Sequence, residues 1–357
     1  MASPESTARP DQKSKSSESE SQDDGFVRDS FNRPMKSLRL SVTDRCNLAC
    51  SYCMPEDGPD TFSPKDEILS YEELTELTRV FVDLGVDNVR ITGGEPLLRK
   101  ELYKLVAMLK PIEGLNEISM TTNGYYLADQ IDLLVEAGLD RINFSLDTLR
   151  KERFQEISRR KGYDRVMEGL EALLDTPELD PVKLNAVAIR GFNDDELLDF
   201  ADWAVTHGEH ARFIEYMPLE GGVDWEEDKV LLASEMKEMV EQDYSLEPVN
   251  DNPHAPATSF HIQGTDGYMG FIPSVSNPFC DTCDRVRITA DGQVKNCLFA
   301  YDEDDLREAL RSDAGHEKLK EIIVGNYKQK WVGGCEKLAR GEYEPEKISR
   351  TMSRIGG

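Results

Sequence analysis

The amino-acid sequence predicts an α/β chain in which six β/α units in series form a partial barrel, followed by a smaller α+β layer. Three observations point there. Short apolar runs with strand periodicity alternate with amphipathic helical patterns from residue 37 to about 216. Polar or glycine-rich motifs sit where those strands end. Beyond residue 220 the pattern changes to Pro- and Gly-rich turns with short strands, and then to helices. Six β/α units in series imply a parallel sheet, closed or partly closed as in a TIM-type (β/α)6 barrel. In such barrels the functional residues gather at the carboxyl ends of the strands.

Each element has its own signal. Leu38, Leu40 and Val42 alternate as a first strand. Ser70 and Glu73 form a capping-box pair ahead of a helix carrying Leu74, Leu77, Val80, Phe81 and Leu84, which Gly85 ends. A second strand lies around Val89-Arg90-Ile91 with a helix near 99–110, and a third around Ile118-Ser119-Met120 with a helix over 127–137. Ile142 to Leu146 form the fourth strand, followed by helical segments to about 175. The fifth runs from Val182 to Ile189 with a helix over 195–206, and the sixth from Arg212 to Tyr216. Short strands at 259–263, 268–272 and 286–290 belong to the appended layer. The motifs at the strand ends are the loop Cys46–Cys53, Gly93-Gly94-Glu95-Pro96, Thr121-Thr122-Asn123-Gly124, Ser145 with Asp147, and Met217-Pro218. Division into a disordered leader at 1–33, a barrel at 34–225 and a C-terminal region at 226–357 follows from these changes of pattern.

Composition bounds the function. Of 357 residues, 69 are Asp or Glu and 42 are Lys or Arg, a net charge of −27. Seven acids and five bases in the first 33 residues account for only −2 of that, so the acidity is spread over the folded part. Such a surface excludes the basic footprint that nucleic-acid binding needs. It suits a protein that stays soluble in concentrated salt, where long-range repulsion is screened, and it points to a halophilic source. No run of 18 apolar residues exists to span a membrane. Residues 1–30 are rich in Ser, Glu, Asp and Gln, which reads as a disordered tail rather than a signal peptide. Seven cysteines without a secretory signal read as metal or cluster ligands rather than disulfides, in a cytoplasmic protein.

The cysteines fall into two sets. Cys46, Cys50 and Cys53 have the spacing C-x3-C-x2-C, with no fourth ligand nearby. Three thiolates on one loop would leave one iron of a four-iron cluster open to a chelator. A zinc knuckle or three separately buried cysteines are the plainer readings, although zinc wants a close fourth ligand. Cys280, Cys283 and Cys297 repeat the theme as C-x2-C-x13-C; Cys335, His254 or His261 would have to complete a zinc site there. Arg285 and Arg287 follow directly. Alternate strand residues share a face, so both guanidiniums point together beside the second set, as a clamp for phosphate or carboxylate.

The first loop resembles the signature of the radical S-adenosylmethionine (SAM) enzymes. The match becomes specific through Thr43-Asp44-Arg45-Cys46-Asn47 with Cys50, Cys53, Met54 and Pro55, and through Arg90 to Pro96. Further along it takes in Thr121 to Gly124, Asn143 to Asp147, Arg212 to Met217, the second cysteine set with Arg285 and Arg287, and the terminal Gly356-Gly357. From about residue 36 to the C-terminus the chain is similar to the GTP 3',8-cyclases of molybdenum-cofactor biosynthesis. The resemblance implies a radical SAM barrel and a C-terminal layer with a second iron–sulfur site. It implies two 4Fe-4S clusters, one on Cys46, Cys50 and Cys53 and one on Cys280, Cys283 and Cys297. SAM would be held by Tyr52, Gly94, Ser145 and Met217, and GTP by Arg39, Arg90, Thr121, Lys183, Arg285 and Arg287, the last two also in a catalytic role. In that family a deoxyadenosyl radical takes the 3' hydrogen of the GTP ribose, and the carbon radical attacks C8 of guanine. Reduction and protonation then give (8S)-3',8-cyclo-7,8-dihydroguanosine 5'-triphosphate.

No Gly-x4-Gly-Lys-Ser/Thr loop is present, so the triphosphate is not held as in P-loop proteins. The implied partners are GTP, an electron donor such as ferredoxin or flavodoxin, and the next enzyme, cyclic pyranopterin monophosphate synthase, by product handover. A homodimer is compatible with the sequence, and neither nucleic acid nor membrane is expected. Leu48-Ala49 departs from the aromatic-plus-arginine pair common in the first loop, at positions that hold no ligand. Two other readings stay open: a two-cluster radical SAM enzyme acting on a peptide, and a non-catalytic zinc-stabilised module.

Overall fold

The computed structural model describes residues 25–55, 62–219, 225–249, 255–312, 315–340, 342–344 and 350–356, without the side chains of 335, 338 and 339. Residues 1–24 of the expected leader, the Cys335 side chain, His254 and Gly357 therefore lie outside the described residues.

Six strands come first: β1 (Ser37–Ser41), β2 (Asn88–Thr92), β3 (Glu117–Thr122), β4 (Arg141–Ser145), β5 (Lys183–Ala188) and β6 (His210–Glu215). All five neighbouring pairs are parallel, and the strands lie in chain order. Between them run α1 (Tyr71–Asp83), α2 (Leu102–Leu109), α3 (Ile131–Glu136), α4 (Lys151–Ser158), α5 (Tyr163–Leu174) and α6 (Leu197–His207). Helix α1 starts with the expected capping box: Glu73 N donates to Ser70 Oγ at 3.1 Å, and Ser70 N donates to Glu73 Oε2 at 2.7 Å. Gly85 closes it at φ +102°, a left-handed backbone that favours glycine.

The C-terminal region continues this sheet rather than standing apart from it. It contributes β7 (Leu246–Pro248), β8 (Thr258–Ile262), β9 (Tyr268–Ile272), β10 (Arg285–Ile288), β11 (Gln293–Lys295) and β12 (Asp304–Asp305). Strand β9 adds parallel to β6 at one edge, and β10 adds parallel to β1 at the other. The order is β12-β11-β10-β1-β2-β3-β4-β5-β6-β9-β8-β7, so the barrel is open. Helices α7 (Ala233–Val240), α8 (Arg307–Arg311), α9 (Gly315–Lys328), α10 (Gly334–Ala339) and α11 (Met352–Ile355) complete the chain.

Strand parity explains why the barrel is hollow. Leu38, Leu40, Val89, Ile91, Ile118, Met120, Ile142, Phe144, Leu184, Ala186 and Phe213 are buried on the helix side. Each large one contributes about 1.5–3 kcal/mol by leaving water. The intervening residues, among them Arg39, Arg90, Thr121, Asn185 and Arg212, line an interior cavity. A slip of one residue would drive those arginines into the helices. A closed barrel fills its interior with branched apolar side chains; this one carries guanidiniums and cannot close dry.

Residues 25–33 correct the expected leader. Val27 N donates to Leu84 O at 3.2 Å, and Met35 N donates to Val27 O at 2.8 Å. Arg33 is 3% exposed and pairs with Asp29 at 2.6 Å. Its guanidinium also donates to the carbonyls of Cys280 at 2.7 Å, Val332 at 2.8 Å, and Trp331. The polar composition of 1–33 concealed this, because Arg33 finds its partners some 250 to 300 residues further along. Replacing Arg33 with Ala leaves Asp29 buried and unpaired, which should cost about 3–5 kcal/mol. Urea denaturation of the variant against the parent measures it.

Candidate functional site

The cysteine loop leaves the carboxyl end of β1 and is held by backbone bonds on two sides. Gly94 N donates to Thr43 O and Glu95 N donates to Arg45 O, both at 2.8 Å. On the other side Ala49 N and Ser51 N donate to Ser158 O and Ile157 O at the end of α4, at 3.0 and 2.9 Å. A Cβ on Gly94 would stand 2.4 Å from the Arg45 carbonyl oxygen. The close approach that demands glycine here is thus to the cysteine loop itself. Glu95, 1% exposed, accepts from Thr122 Oγ1 at 2.7 Å, Asn123 N at 2.8 Å and Leu97 N at 3.0 Å. Asn123 then donates to Asn47 Oδ1 at 3.0 Å and approaches Cys46 Sγ at 3.8 Å. Three motif loops are interlocked in this way. Burial pushes the Cys46 and Cys53 thiols up to about 12 and Cys50 upward as well.

Inside the barrel lies a cavity of about 290 Å³. Arg39, Arg90, Thr121, Arg285 and Arg287 line it, with Tyr52, Ser145, Met217 and all of Cys280, Cys283 and Cys297. Most of the residues expected to hold GTP and SAM therefore share one space with the second cysteine set. Lys183 and Gly94 are not among the lining residues, and neither are Cys46, Cys50 and Cys53. Lys183 sits at the amino end of β5, level with Asn143 of β4 and His210 of β6.

The cations in this cavity are short of counter-charge. Among the described residues, none of Arg39, Arg90, Arg285 and Arg287 has a carboxylate within 4 Å. Arg39 donates to Ser37 Oγ at 3.1 Å, and Arg285 stacks over the Phe279 ring at 4.6 Å. With its amide oxygen turned inward, Asn143 accepts from Arg90 Nη1 at 2.7 Å. Burial, then repulsion from Arg90, Arg285 and Arg287, drives Arg39 well below the usual arginine value. Burial and Arg285 bring Arg90 to about 9 and Arg287 to about 10. Burial, with Arg212, Arg141 and Arg90, brings Lys183 to about 7. An arginine does not give up its proton, so the cluster calls for an anionic ligand.

Cys280 and Cys283 lie on the turn before β10, and Cys297 lies just past β11. Burial raises the Cys283 thiol, but Lys330 and Arg285 outweigh it and hold the group below its ordinary value. The chain's end reaches the same place: Arg287 Nη1 donates to Gly356 O at 2.5 Å. Gly356 sits at φ +79°, and a Cβ there would meet Thr92 Oγ1 at 2.8 Å. Both donor sets suit iron–sulfur clusters chemically: each is three free, half-buried cysteines, the first on one loop and the second on two neighbouring turns. Among the described residues no three Cys, His, Asp or Glu side chains gather as a single metal ion requires. A cubane spreads its three thiolates more widely than one zinc does.

Several lining residues carried no site role in the sequence reading. Asn185 and Arg212 are register partners on β5 and β6, and Asn185 Oδ1 is buried without a hydrogen-bond partner. Asp147 accepts from Tyr52 OH at 2.8 Å and from Val187 N at 2.9 Å; burial raises its carboxyl to about 6. Parity was the available signal: Asn185 and Arg212 lie two residues beyond Lys183 and His210 on the same face.

A parallel open barrel with three cysteines after its first strand defines the radical SAM class. Residues 40–204 match the Radical SAM superfamily model, and 210–333 match Molybdenum Cofactor Synthesis C. GTP 3',8-cyclase of Thermodesulfovibrio yellowstonii is 41% identical over 332 residues, covering 93% of this chain and 100% of that protein. The chain belongs to the GTP 3',8-cyclase family. It is also 46% identical over 314 residues to human molybdenum cofactor biosynthesis protein 1, covering 86% of this chain but 49% of that one, so it spans about half the length of that relative. Among solved structures, Streptococcus suis SuiB bound to its precursor peptide SuiA has a TM-score of 0.60 at 13% identity, covering 92% of this chain and 76% of that one. That likeness is one of fold. Among the described residues no helix is long and apolar enough to cross a membrane.

Replacing Gly94 with Ala should force the Arg45–Cys46 backbone aside. If the first loop holds a cluster, the expected outcome is loss of that iron with the fold retained, read from iron content beside circular dichroism.

Proposed function

We propose that this chain catalyses the radical cyclisation of GTP to (8S)-3',8-cyclo-7,8-dihydroguanosine 5'-triphosphate, using SAM and two 4Fe-4S clusters. The observation that carries the reading is the cavity. In a chain of net charge −27, four arginines with no carboxylate within 4 Å among the described residues face three cysteines in one cavity. A nucleoside triphosphate supplies the negative charge that such a pocket needs.

Cys46, Cys50 and Cys53 would hold the first cluster, and Cys280, Cys283 and Cys297 the second. When bound, SAM on the first cluster supplies a carbon-centred radical, and the hard chemistry belongs to the cofactor. The protein supplies position and shelter. Tyr52, fixed by Asp147, would border SAM together with Ser145 and Met217. Gly94 would act through the loop it packs on. Arg39, Arg90 and Thr121 would take the triphosphate, with Lys183 below them. Arg285 and Arg287 would hold the substrate against the second cluster and steady charge as it shifts during ring closure. Arg287 also engages the tail through Gly356.

The rest of the reading extends from composition and family. A division at 225/226 would separate the SAM-binding barrel from the substrate region. A low-potential protein such as ferredoxin or flavodoxin would deliver electrons, and the next enzyme of the pathway would receive the product. The chain would work in the cytoplasm, as a monomer or homodimer. Its dispersed acidity supports adaptation to concentrated salt, as in a halophile, with melting temperature rising as potassium chloride is added.

An anaerobic assay of reconstituted protein in high potassium chloride with SAM, dithionite and GTP or ATP tests the activity. Deoxyadenosine and a cyclised nucleotide of unchanged mass with GTP, and neither with ATP, is the expected result. Deoxyadenosine without a nucleotide product would sink the cyclase reading in favour of a peptide substrate.

Lys183 makes binding depend on pH. With its value at about 7 in the free protein, it is charged below pH 7 and must take up a proton to meet phosphate above it. GTP affinity should hold steady below pH 7, fall about fivefold between pH 7 and 8, and fall about tenfold per unit beyond. Calorimetric titration reads this, and Lys183→Met should abolish the slope.

A further inference from the structure

We propose that Lys330 is the counter-cation of the second iron–sulfur site, a positioning residue whose charge sets the potential at which a cluster on Cys280, Cys283 and Cys297 takes an electron. The inference rests on the second-cluster reading above.

Lys330 lies two residues past α9 and is 3% exposed. An ammonium has three N–H donors, and here all three are spent on the segment that carries the cysteines. Nζ donates to Arg285 O at 2.7 Å, to Cys283 O at 3.1 Å and to Cys283 Sγ at 3.4 Å. The ring of Tyr327 lies 4.9 Å away and adds a weak attraction for the cation. Among the described residues no carboxylate lies within 4 Å of it.

Arg33, at the same burial and also bonded to the cysteine turn, shows what the fold does with an ordinary buried cation: it supplies Asp29 at 2.6 Å. Lys330 receives no such partner. Carbonyl dipoles alone do not neutralise an ammonium removed from water. The remaining negative group in reach is the Cys283 sulfur, and a thiolate-held cluster supplies a lasting negative charge there. Lys330 is not among the residues lining the cavity, so it acts through the cluster and does not touch substrate. A cation with an N–H···S bond stabilises the more negative, reduced cluster, which raises its potential.

The test uses the full chain, reconstituted anaerobically and titrated with redox mediators under electron paramagnetic resonance. Wild type should bind about eight irons and show two reduced signals, the second identified by its absence in Cys297→Ala. About four irons and one signal would remove the second-cluster reading, and this inference with it. In Lys330→Gln the iron should remain, and the second signal should titrate lower. At the poise where wild type is half reduced, its reduced-to-oxidised ratio should fall at least tenfold, or 59 mV for one electron. The first signal should not move, and Lys330→Arg should keep the wild-type midpoint. A fully loaded Gln variant at the wild-type midpoint overturns the proposal. Should the Gln variant lose its second cluster, the Arg variant decides: loading at the wild-type midpoint supports the role of charge, and loss in both overturns it.

Discussion

The fold is organised around buried cations that have no carboxylate within 4 Å among the described residues. Arg39, Arg90, Arg285 and Arg287 face one cavity, and burial with mutual repulsion presses on them together. Their strands have no freedom of register, because the alternate positions are the Leu, Val and Ile side chains that seat the helices. The same residues keep the barrel from closing on a dry core, so the edges are finished by β9 and β10. Strand β10 brings its own arginines and the second cysteine set to the rim. Polarity inside, the open sheet and the placement of the second thiol set are thus one constraint seen three ways.

Around that interior the backbone does the locating. The cysteine loop is fixed because Gly94 lies against Arg45, Glu95 ties its own loop to Thr122 and Asn123, and Asn123 reaches back to Asn47. Side chains expected to bind cofactor therefore sit on supports that are buried and hydrogen-bonded, as a site requires when its groups must not drift. Glu95 has the cost of burial partly offset by three donors; its carboxyl still rises to about 7.

Much of this was legible in the sequence, for a reason that also marks the limit. Strands and helices declare themselves through local period, and both cysteine sets declare themselves through spacing. The succession of the first six strands and helix α1 with its Ser70–Glu73 box needed only local period and β/α succession. The meeting of Arg285 and Arg287 with Arg39 followed from the resemblance alone, because β10 joins β1 from the far end of the chain. Arg33 was misplaced in a leader because its partners lie far along the chain, at Cys280 and 331–332. The resemblance placed Gly94 at SAM, and its tight neighbour within the fold is the Arg45 carbonyl. Asn185 belongs to no motif, and Arg212 and Asp147 lay in quoted motifs without an assigned role; their place in the cavity becomes visible once the register is known. Lys183 carries a perturbed charge without lining the cavity, a distinction that only three-dimensional placement makes.

Charge is then distributed by sign as much as by position. The excess of acids is spread over the sequence, while Arg39, Arg90, Arg285 and Arg287 are gathered within the barrel. Outside, carboxylates repel one another through water and salt, where screening within about 8–10 Å makes them inexpensive. Inside, low dielectric makes the cations costly to each other and strongly attractive to an anion. A ligand-free chain therefore carries strain in its cavity that an anionic substrate relieves. Discrimination follows from the same asymmetry: a negatively charged molecule is repelled by the outer surface unless it can exchange that repulsion for several fixed guanidiniums. A polyanion small enough to enter the cavity meets that condition, and a long acidic polymer does not.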